Sequence, residues 1–286
     1  MWSQRVFNRR VKLAQRFLHL SNAGIEAALS GPLHLAHVVE FPKCGGSWVR
    51  NMLRTYRDTD LFAHDRVLRH RDVIMVHRLY RRRFPRPIVV VRDPRDLYVS
   101  FYYYETAFER RDPSSVLFKY FHHDPQRLLQ EDFHDYLRVK LLRLTHPWFF
   151  YSQFLDAWLK RAQVCVVRYE DCLAEPETQL IRMLRFLGDD IDLERVERTV
   201  QQTSFSAITQ ARYGQTRSPG EEDKTKFHRK GIAGDWRNHF NAASCRLLEK
   251  LEGTSLRRLG YEADAGWIER FLNDESSPAL AAVRSA

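Results

Sequence analysis

A chain of 286 residues can bury one substantial core, so the expectation is one main domain with an extension. Its 46 Lys and Arg against 36 Asp and Glu leave a formal charge of +10, which favours anionic partners without choosing among nucleotide, nucleic acid and acidic membrane. Cys44, Cys165, Cys172 and Cys245 show neither the close pairs of a zinc site nor the density of a disulfide scaffold; with no membrane-spanning run and no continuous apolar leader, a cytoplasmic protein is expected.

The first twenty residues hold no acidic side chain, five Lys or Arg, and Val6, Leu13, Phe17 and Leu20 at mostly helical steps. Residues 1–30 therefore read as an amphipathic helical extension, either docked on the domain or making peripheral contact with an anionic membrane, and residues 31–286 as a single α/β domain. "HVVEF" (37–41) is apolar on both faces, as in a buried parallel strand. The loop "PKCGGS" follows, and then a helical pattern from Trp48 to Tyr56. "DVIMVH" (72–77) is a weaker strand signal, and "PIVVV" (87–91) a strong one. In "RDPRDLYVSFYYY", Asp93 can cap a helix with Pro94 at its first position, the helical pattern running from Asp96 to Tyr104. A further helix spans Trp148 to Lys160 and precedes the strand "VCVV" (164–167). Pro176 opens another, with Leu180, Leu184 and Leu187 as its apolar stripe and Gly188 at its end. The polar, basic stretch 211–231 reads as a mobile surface loop. Strands alternating with helices predict an open parallel sheet covered by helices.

Each strong strand runs into charged or phosphate-compatible residues: "PKCGGS", "RDPRD" and "RYED". That gathers them at the carboxyl edge of the sheet, where such folds bind ligands. Gly45 and Gly46 permit a tight turn and close approach of backbone to an anion at the next helix start, Ser47 adds a hydroxyl and Lys43 a charge. The lysine precedes the glycines, unlike the loop of nucleoside triphosphatases. Arg92 and Ser100 can reach one phosphate. Arg229, Lys230 and Gly231 in "FHRKGIAGDW" add a second cationic group, an arrangement suited to a nucleotide with anions at both ends.

These segments resemble the cytosolic-type sulfotransferases that use 3′-phosphoadenosine 5′-phosphosulfate (PAPS). "FPKCGGSW" is similar to their 5′-phosphosulfate loop, "RDPRDLYVS" to their 3′-phosphate motif and "RKGIAGDW" to their last cofactor motif, with "VRYEDCLAEP" and "QTSF" matching between them in order, over about residues 35 to 240. The resemblance implies a P-loop-like three-layer α/β fold with a central parallel sheet flanked by helices, and sulfuryl transfer from PAPS to a hydroxyl without a metal. It places Lys43, Cys44, Gly45, Gly46, Ser47 and Trp48 around the phosphosulfate and the near side of the adenine. Arg92, Ser100, Arg229, Lys230 and Gly231 would hold the 3′-phosphate; Tyr169, Thr203, Phe205 and Phe227 would lie by the adenine. The family's histidine at the end of the intervening strand corresponds to His77, the candidate base, with Lys43 as its catalytic partner. Met75 stands where relatives carry a lysine two residues before the histidine, and Cys44 where many carry serine. Tyr102, Tyr103, Tyr104, Phe108, Phe118, Tyr120 and Phe121 could wall an apolar acceptor pocket or fill the core. The resemblance implies a hydroxyl acceptor on a small molecule, lipid or carbohydrate, and the aromatics lean toward apolar or aromatic alcohols. The rival readings are a nucleotide kinase, a nucleic-acid-binding protein, for which no recognised module is present, and a family member that binds nucleotide without catalysis.

Overall fold

The computed structural model describes residues 28–59, 69–79, 84, 86–109, 133–161 and 163–274. The basic N-terminal segment, residues 1–27, lies outside them, as do Phe118, Tyr120 and Phe121 and the side chain of Phe108.

Four parallel strands form one sheet in the order β2-β1-β3-β4: β1 Ala36–Glu40, β2 Val73–Val76, β3 Pro87–Val91 and β4 Cys165–Arg168. The two interior strands, β1 and β3, are buried along their whole length, which is why they are continuous apolar runs in the sequence. The edge strands are only partly covered, and β2 was correspondingly the weaker signal. The sheet places Glu40 opposite Val90 and Val91 opposite Arg168, so the loops leaving β1, β3 and β4 start side by side at one edge.

Helix α1 (Gly46–Arg57) follows β1 after a turn at Gly45, whose φ of 97 is costly for any residue with a Cβ. Helix α2 (Pro94–Tyr104) is capped as expected, the Asp93 carboxylate accepting from Arg95 N at 2.8 Å, and it continues as a π-helical turn over Glu105–Glu109. After α3 (Phe133–Leu142), α4 covers Tyr151–Leu159 and starts later than the expected Trp148. Trp148 has a left-handed φ of 70, and the Gln153 side chain accepts from Phe150 N at 3.0 Å, which fixes the helix start. Helix α5 (Tyr169–Ala174) leaves β4 directly, and α6 (Pro176–Leu187) ends at Gly188 with φ 78. Asp192 and Ser204 cap α7 (Leu193–Gln202) and α8 (Phe205–Tyr213). A short turn at Asp235–Asn238 precedes α9 (Ala242–Arg258) and α10 (Trp267–Leu272).

One apolar core joins the sheet to α1, α4 and α6; a second joins α2, α3, α9 and α10. Tyr102 and Tyr103 belong to the second core, 2% and 5% exposed, so for these two the acceptor-wall expectation gives way to packing. Beneath them Glu105 takes bonds from Tyr136 Oη at 2.6 Å and Lys140 Nζ at 2.7 Å, a paired and hydrogen-bonded buried charge.

Candidate functional site

The β1–α1 loop is built for close approach. Lys43 and Gly45 both have positive φ, 77 and 97, and a Cβ at Gly45 would fall 2.5 Å from the Tyr169 ring. The loop wraps the base of Arg92, whose backbone is locked to the Tyr151 hydroxyl: Arg92 N donates to it at 3.1 Å and it donates to Arg92 O at 2.9 Å. The Arg92 guanidinium donates to Lys43 O at 3.2 Å and Ile232 O at 3.3 Å and lies 4.3 Å from the centre of the Tyr169 ring. One buried arginine thus ties the first anion loop to the third.

The third segment is anchored on α2. Asp96 accepts from Gly234 N at 2.6 Å and Trp236 N at 2.8 Å, while burial pushes its carboxyl up to about 6. Gly231 has φ 67, and a Cβ there would lie 2.4 Å from the Phe205 ring. Asp235 pairs with Lys230 Nζ at 2.6 Å, with Arg229, and with His239 at 3.2 Å. Burial works to raise the Asp235 carboxyl, but the bond to His239 and the Arg229 and Lys230 charges together hold it far below the usual range. Arg229 also pairs with Glu222. Of the expected surface loop 211–231, the residues up to Tyr213 belong to α8, and the rest is folded back on itself: Gly220 N donates to Lys230 O at 2.8 Å and Asp223 N to Arg229 O at 2.9 Å, and Arg217 donates to the carbonyls of Glu221, His228 and Arg229.

These segments enclose a cleft of ≈ 280 Å³. Of the sequence-derived candidates, Lys43, Gly45, Ser47, Trp48, Arg92, Ser100, Tyr169, Phe205, Phe227, Arg229, Lys230 and Gly231 line it. Lys43 Nζ sits between two rings, 3.9 Å from the centre of Phe227 and 4.3 Å from that of Tyr104. Cys44 is fully buried with its thiol pushed up by that burial, and Thr203 is buried with its carbonyl accepting from Trp48 Nε1 at 2.8 Å. Gly46 is buried at the start of α1. These three support the cleft from behind. His77 stands just beyond β2 with its side chain 43% exposed, outside the cleft lining, and its Nδ1 faces Glu40.

Glu40 and His228, which line the cleft, and Arg217, which holds the loop behind it, are charged or titratable residues that escaped the sequence reading. Glu40 lies in the apolar run "HVVEF", where a single charge at a buried position was the available signal. His228 lines the cleft with its imidazole pushed down to about 4, by burial first and then by Arg212, Lys43 and Arg217. Arg217 makes its hydrogen bonds to backbone carbonyls, which leave no pattern in sequence, and lies 5.3 Å from the centre of the Phe205 ring. Among the described residues no cluster of three or more His, Cys, Asp and Glu side chains could hold a metal ion.

The lining combines cations with aromatic rings, the donor set that a nucleotide bearing anionic groups requires. Arg92 Nε is buried and has no hydrogen-bond partner among the described residues. Trp48, Tyr169 and Phe205 line the cleft with rings, and Gly45 and Gly231 let the Tyr169 and Phe205 rings pack onto the loop backbone where a Cβ would clash.

The family model for the sulfotransferase domain matches residues 65–260, more than half of the chain. Human sulfotransferase 1C2 is 25% identical over 182 residues, covering 59% of this chain and 55% of that protein. Zebrafish (Danio rerio) sulfotransferase 6B1 is 29% identical over 187 residues, covering 62% and 56%. The chain thus matches little more than half the length of these curated relatives. The structure of mouse sulfotransferase SULT7A1 complexed with PAP superposes with a TM-score of 0.56 at 18% identity, covering 82% of this chain and 88% of that one. Retinol dehydratase in complex with androsterone and inactive cofactor PAP gives 0.55 at 17%, covering 81% and 84%. Both share the fold. No helix among the described residues is long and apolar enough to cross a membrane.

Proposed function

The chain belongs to the sulfotransferase domain family, and from that premise we propose that it transfers the sulfuryl group of PAPS to a hydroxyl of a small-molecule, lipid or carbohydrate acceptor by in-line displacement. The observation that carries this reading is the convergence of Lys43, Arg92 and Arg229, from three distant segments, on one cleft with aromatic walls. When bound, PAPS supplies a sulfuryl group whose bond to a 5′-phosphate oxygen breaks as the acceptor oxygen bonds to sulfur. Lys43 and the α1 N-terminus stabilise the charge left on that phosphate oxygen. Arg92, Ser100 and the Arg229–Lys230–Gly231 loop hold the 3′-phosphate, and Trp48, Tyr169 and Phe205 hold the adenine, with Thr203 bracing Trp48 and Phe227 bracing Lys43. His77 takes the acceptor's proton.

Arg229 and Lys230 already share Asp235, and Arg229 also pairs with Glu222, so a phosphate there meets two cations whose orientation is fixed by carboxylates. The solved relatives support the nucleotide, since both are complexes with PAP. Met75 favours one second reading, a nucleotide binder without turnover: it is half-buried on β2 opposite Val38 and packs against the core, so it offers no charge where relatives carry lysine. Its four cysteines are all buried free thiols, in keeping with a cytoplasmic protein.

The deciding assay is sulfate transfer from radiolabelled PAPS to a panel of phenols, sterols and sugars, alongside ATP with magnesium. Labelled product supports the proposal. PAP binding without product supports the second reading, and magnesium-dependent phosphoryl transfer rejects both.

A further inference from the structure

Among the described residues Glu40 is the one carboxylate lining the cleft, and it is 4% exposed at the last position of β1. Its two oxygens face different partners. Oε2 accepts from Gly46 N at 2.5 Å, at the start of α1, so the helix N-terminus fixes one side of the carboxylate. Oε1 lies 3.8 Å from His77 Nδ1, and the backbone oxygen of the same Glu40 lies 3.4 Å from that nitrogen. Both acceptors on the Nδ1 side of the ring therefore belong to Glu40. Gly46 is matched to this arrangement: a Cβ there would fall 2.6 Å from Glu40 Cδ and 2.8 Å from Oε2.

We propose that Glu40 is a positioning residue for proton transfer, holding the proton of neutral His77 on Nδ1 so that Nε2 presents its lone pair to the acceptor hydroxyl. The inference rests on the sulfotransferase reading with His77 as the base. The step balances simply. The hydroxyl proton moves to Nε2, the oxygen's electron pair forms the new bond to sulfur, and the pair from the broken bond stays on the nucleotide's phosphate oxygen. The imidazolium so formed carries a proton on each nitrogen, and the Glu40 carboxylate stabilises its charge. Such a third group, orienting a base through its far nitrogen, is how nucleophile–imidazole–carboxylate sites fix a tautomer.

The charged groups facing Glu40 are His77 from the end of β2, Lys43 from the loop and Arg50 from α1. Burial is the largest influence on its carboxyl and raises it, while these three and the Gly46 N–H oppose the rise. Lys43 and Arg50 thus help keep the carboxylate charged beside the imidazole.

The test substitutes Glu40→Gln, which keeps size and shape. With the amide oxygen on Gly46 N–H, the amide NH₂ takes the place of the Oε1 that faced His77 Nδ1 at 3.8 Å; a donor there opposes an Nδ1–H, and the ring proton should shift to Nε2 despite the Glu40 backbone oxygen at 3.4 Å. Nitrogen NMR of the imidazole in the full chain should show the Nδ1–H form in wild type and the Nε2–H form in Glu40→Gln. Turnover should fall about 10²-fold, the lower end of what general-base catalysis supplies, with the KM for PAPS within a few-fold. In a His77→Asn background the same substitution should cost nothing further.

Because the NMR readout needs no turnover, the two readings fail separately. An unchanged tautomer, or an equal loss in the His77→Asn background, overturns the positioning role even in an active enzyme. Wild-type protein that binds PAP but moves no sulfate rejects the proposed function before any substitution is made, and the catalytic role of Glu40 with it. Should Glu40→Gln lower the yield of folded protein, Glu40→Asp decides: the shorter side chain keeps the charge, and it should retain the Nδ1–H form and more turnover than Gln.

Discussion

Replacing Gly46 by Ala tests whether the loop and the carboxylate behind it are built as a pair. The new Cβ would stand 2.6 Å from Glu40 Cδ, 2.8 Å from Oε2 and 2.9 Å from Cγ, all closer than real Cβ contacts allow. Glu40 is buried beside the β1 backbone, so the carboxylate must swing away and give up the 2.5 Å bond from Gly46 N. A hydrogen bond to a charged group contributes about 1.5–3 kcal/mol. Alanine returns up to about 1 kcal/mol through its better helix propensity. The net loss is about 1–2 kcal/mol, which in a chain of this size lowers Tm by about 2–8 °C. Thermal unfolding followed by circular dichroism measures it, with and without Glu40→Ala. In the Glu40→Ala background the added Cβ meets no carboxylate, and the cost of Gly46→Ala should vanish or change sign. A loss of the same size in both backgrounds would refute the steric coupling.

Three further outcomes follow from the same geometry. On the proposed role of its charge at the oxygen released in transfer, Lys43→Ala should cut turnover by about 10²-fold or more while PAP binding weakens much less; near-normal turnover in steady-state assays would remove that role. Gly231→Ala places a Cβ 2.4 Å from the Phe205 ring at a φ of 67, so PAP affinity by calorimetry should fall at least about tenfold with a stability loss of about 1–2 kcal/mol, and wild-type affinity would show that the ring does not abut the nucleotide. Glu252 is buried with its carboxyl raised to about 7, chiefly by desolvation, against the bonds from Ser255, Ser152 and Tyr98. The folded state therefore holds this proton more tightly than the unfolded state; the stabilisation is complete below about 4.5 and lost as pH rises through about 7. Glu252→Gln, uncharged throughout, should gain on wild type by up to about 3 kcal/mol across that window in urea denaturation, and a difference independent of pH would contradict the burial argument.

Much of the fold was legible because the interior strands had to be apolar on both faces. "HVVEF" and "PIVVV" read as strands since α-helices cover each side of them, and Asp93, Pro94, Pro176 and Gly188 announced their helix ends through ordinary capping chemistry. The α4 start was misplaced because Trp148 takes a left-handed backbone that its side chain does not advertise. The cleft was legible where side chains themselves point to an anion, as with Lys43, Arg92 and Arg229. It was illegible where the work is done by backbone, as at Arg217, or by shape, as with Tyr102 and Tyr103, whose rings fill a core that aromatic content alone cannot tell from a pocket. Cys44 sits in the loop motif yet turns its side chain to the core, since the turn that brings Cys44 N to Phe41 O at 3.1 Å aims the thiol inward toward Tyr151.

The central claim is that one cleft grips both anionic ends of a single adenosine compound. Titration calorimetry of the wild-type chain with PAP and with adenosine 5′-monophosphate, at fixed ionic strength, tests it directly. The account predicts that PAP binds and that loss of the 3′-phosphate weakens binding by about 10²-fold, the worth of one or two charge-assisted hydrogen bonds. Equal affinity for the two nucleotides, or no binding of PAP at all, would contradict it.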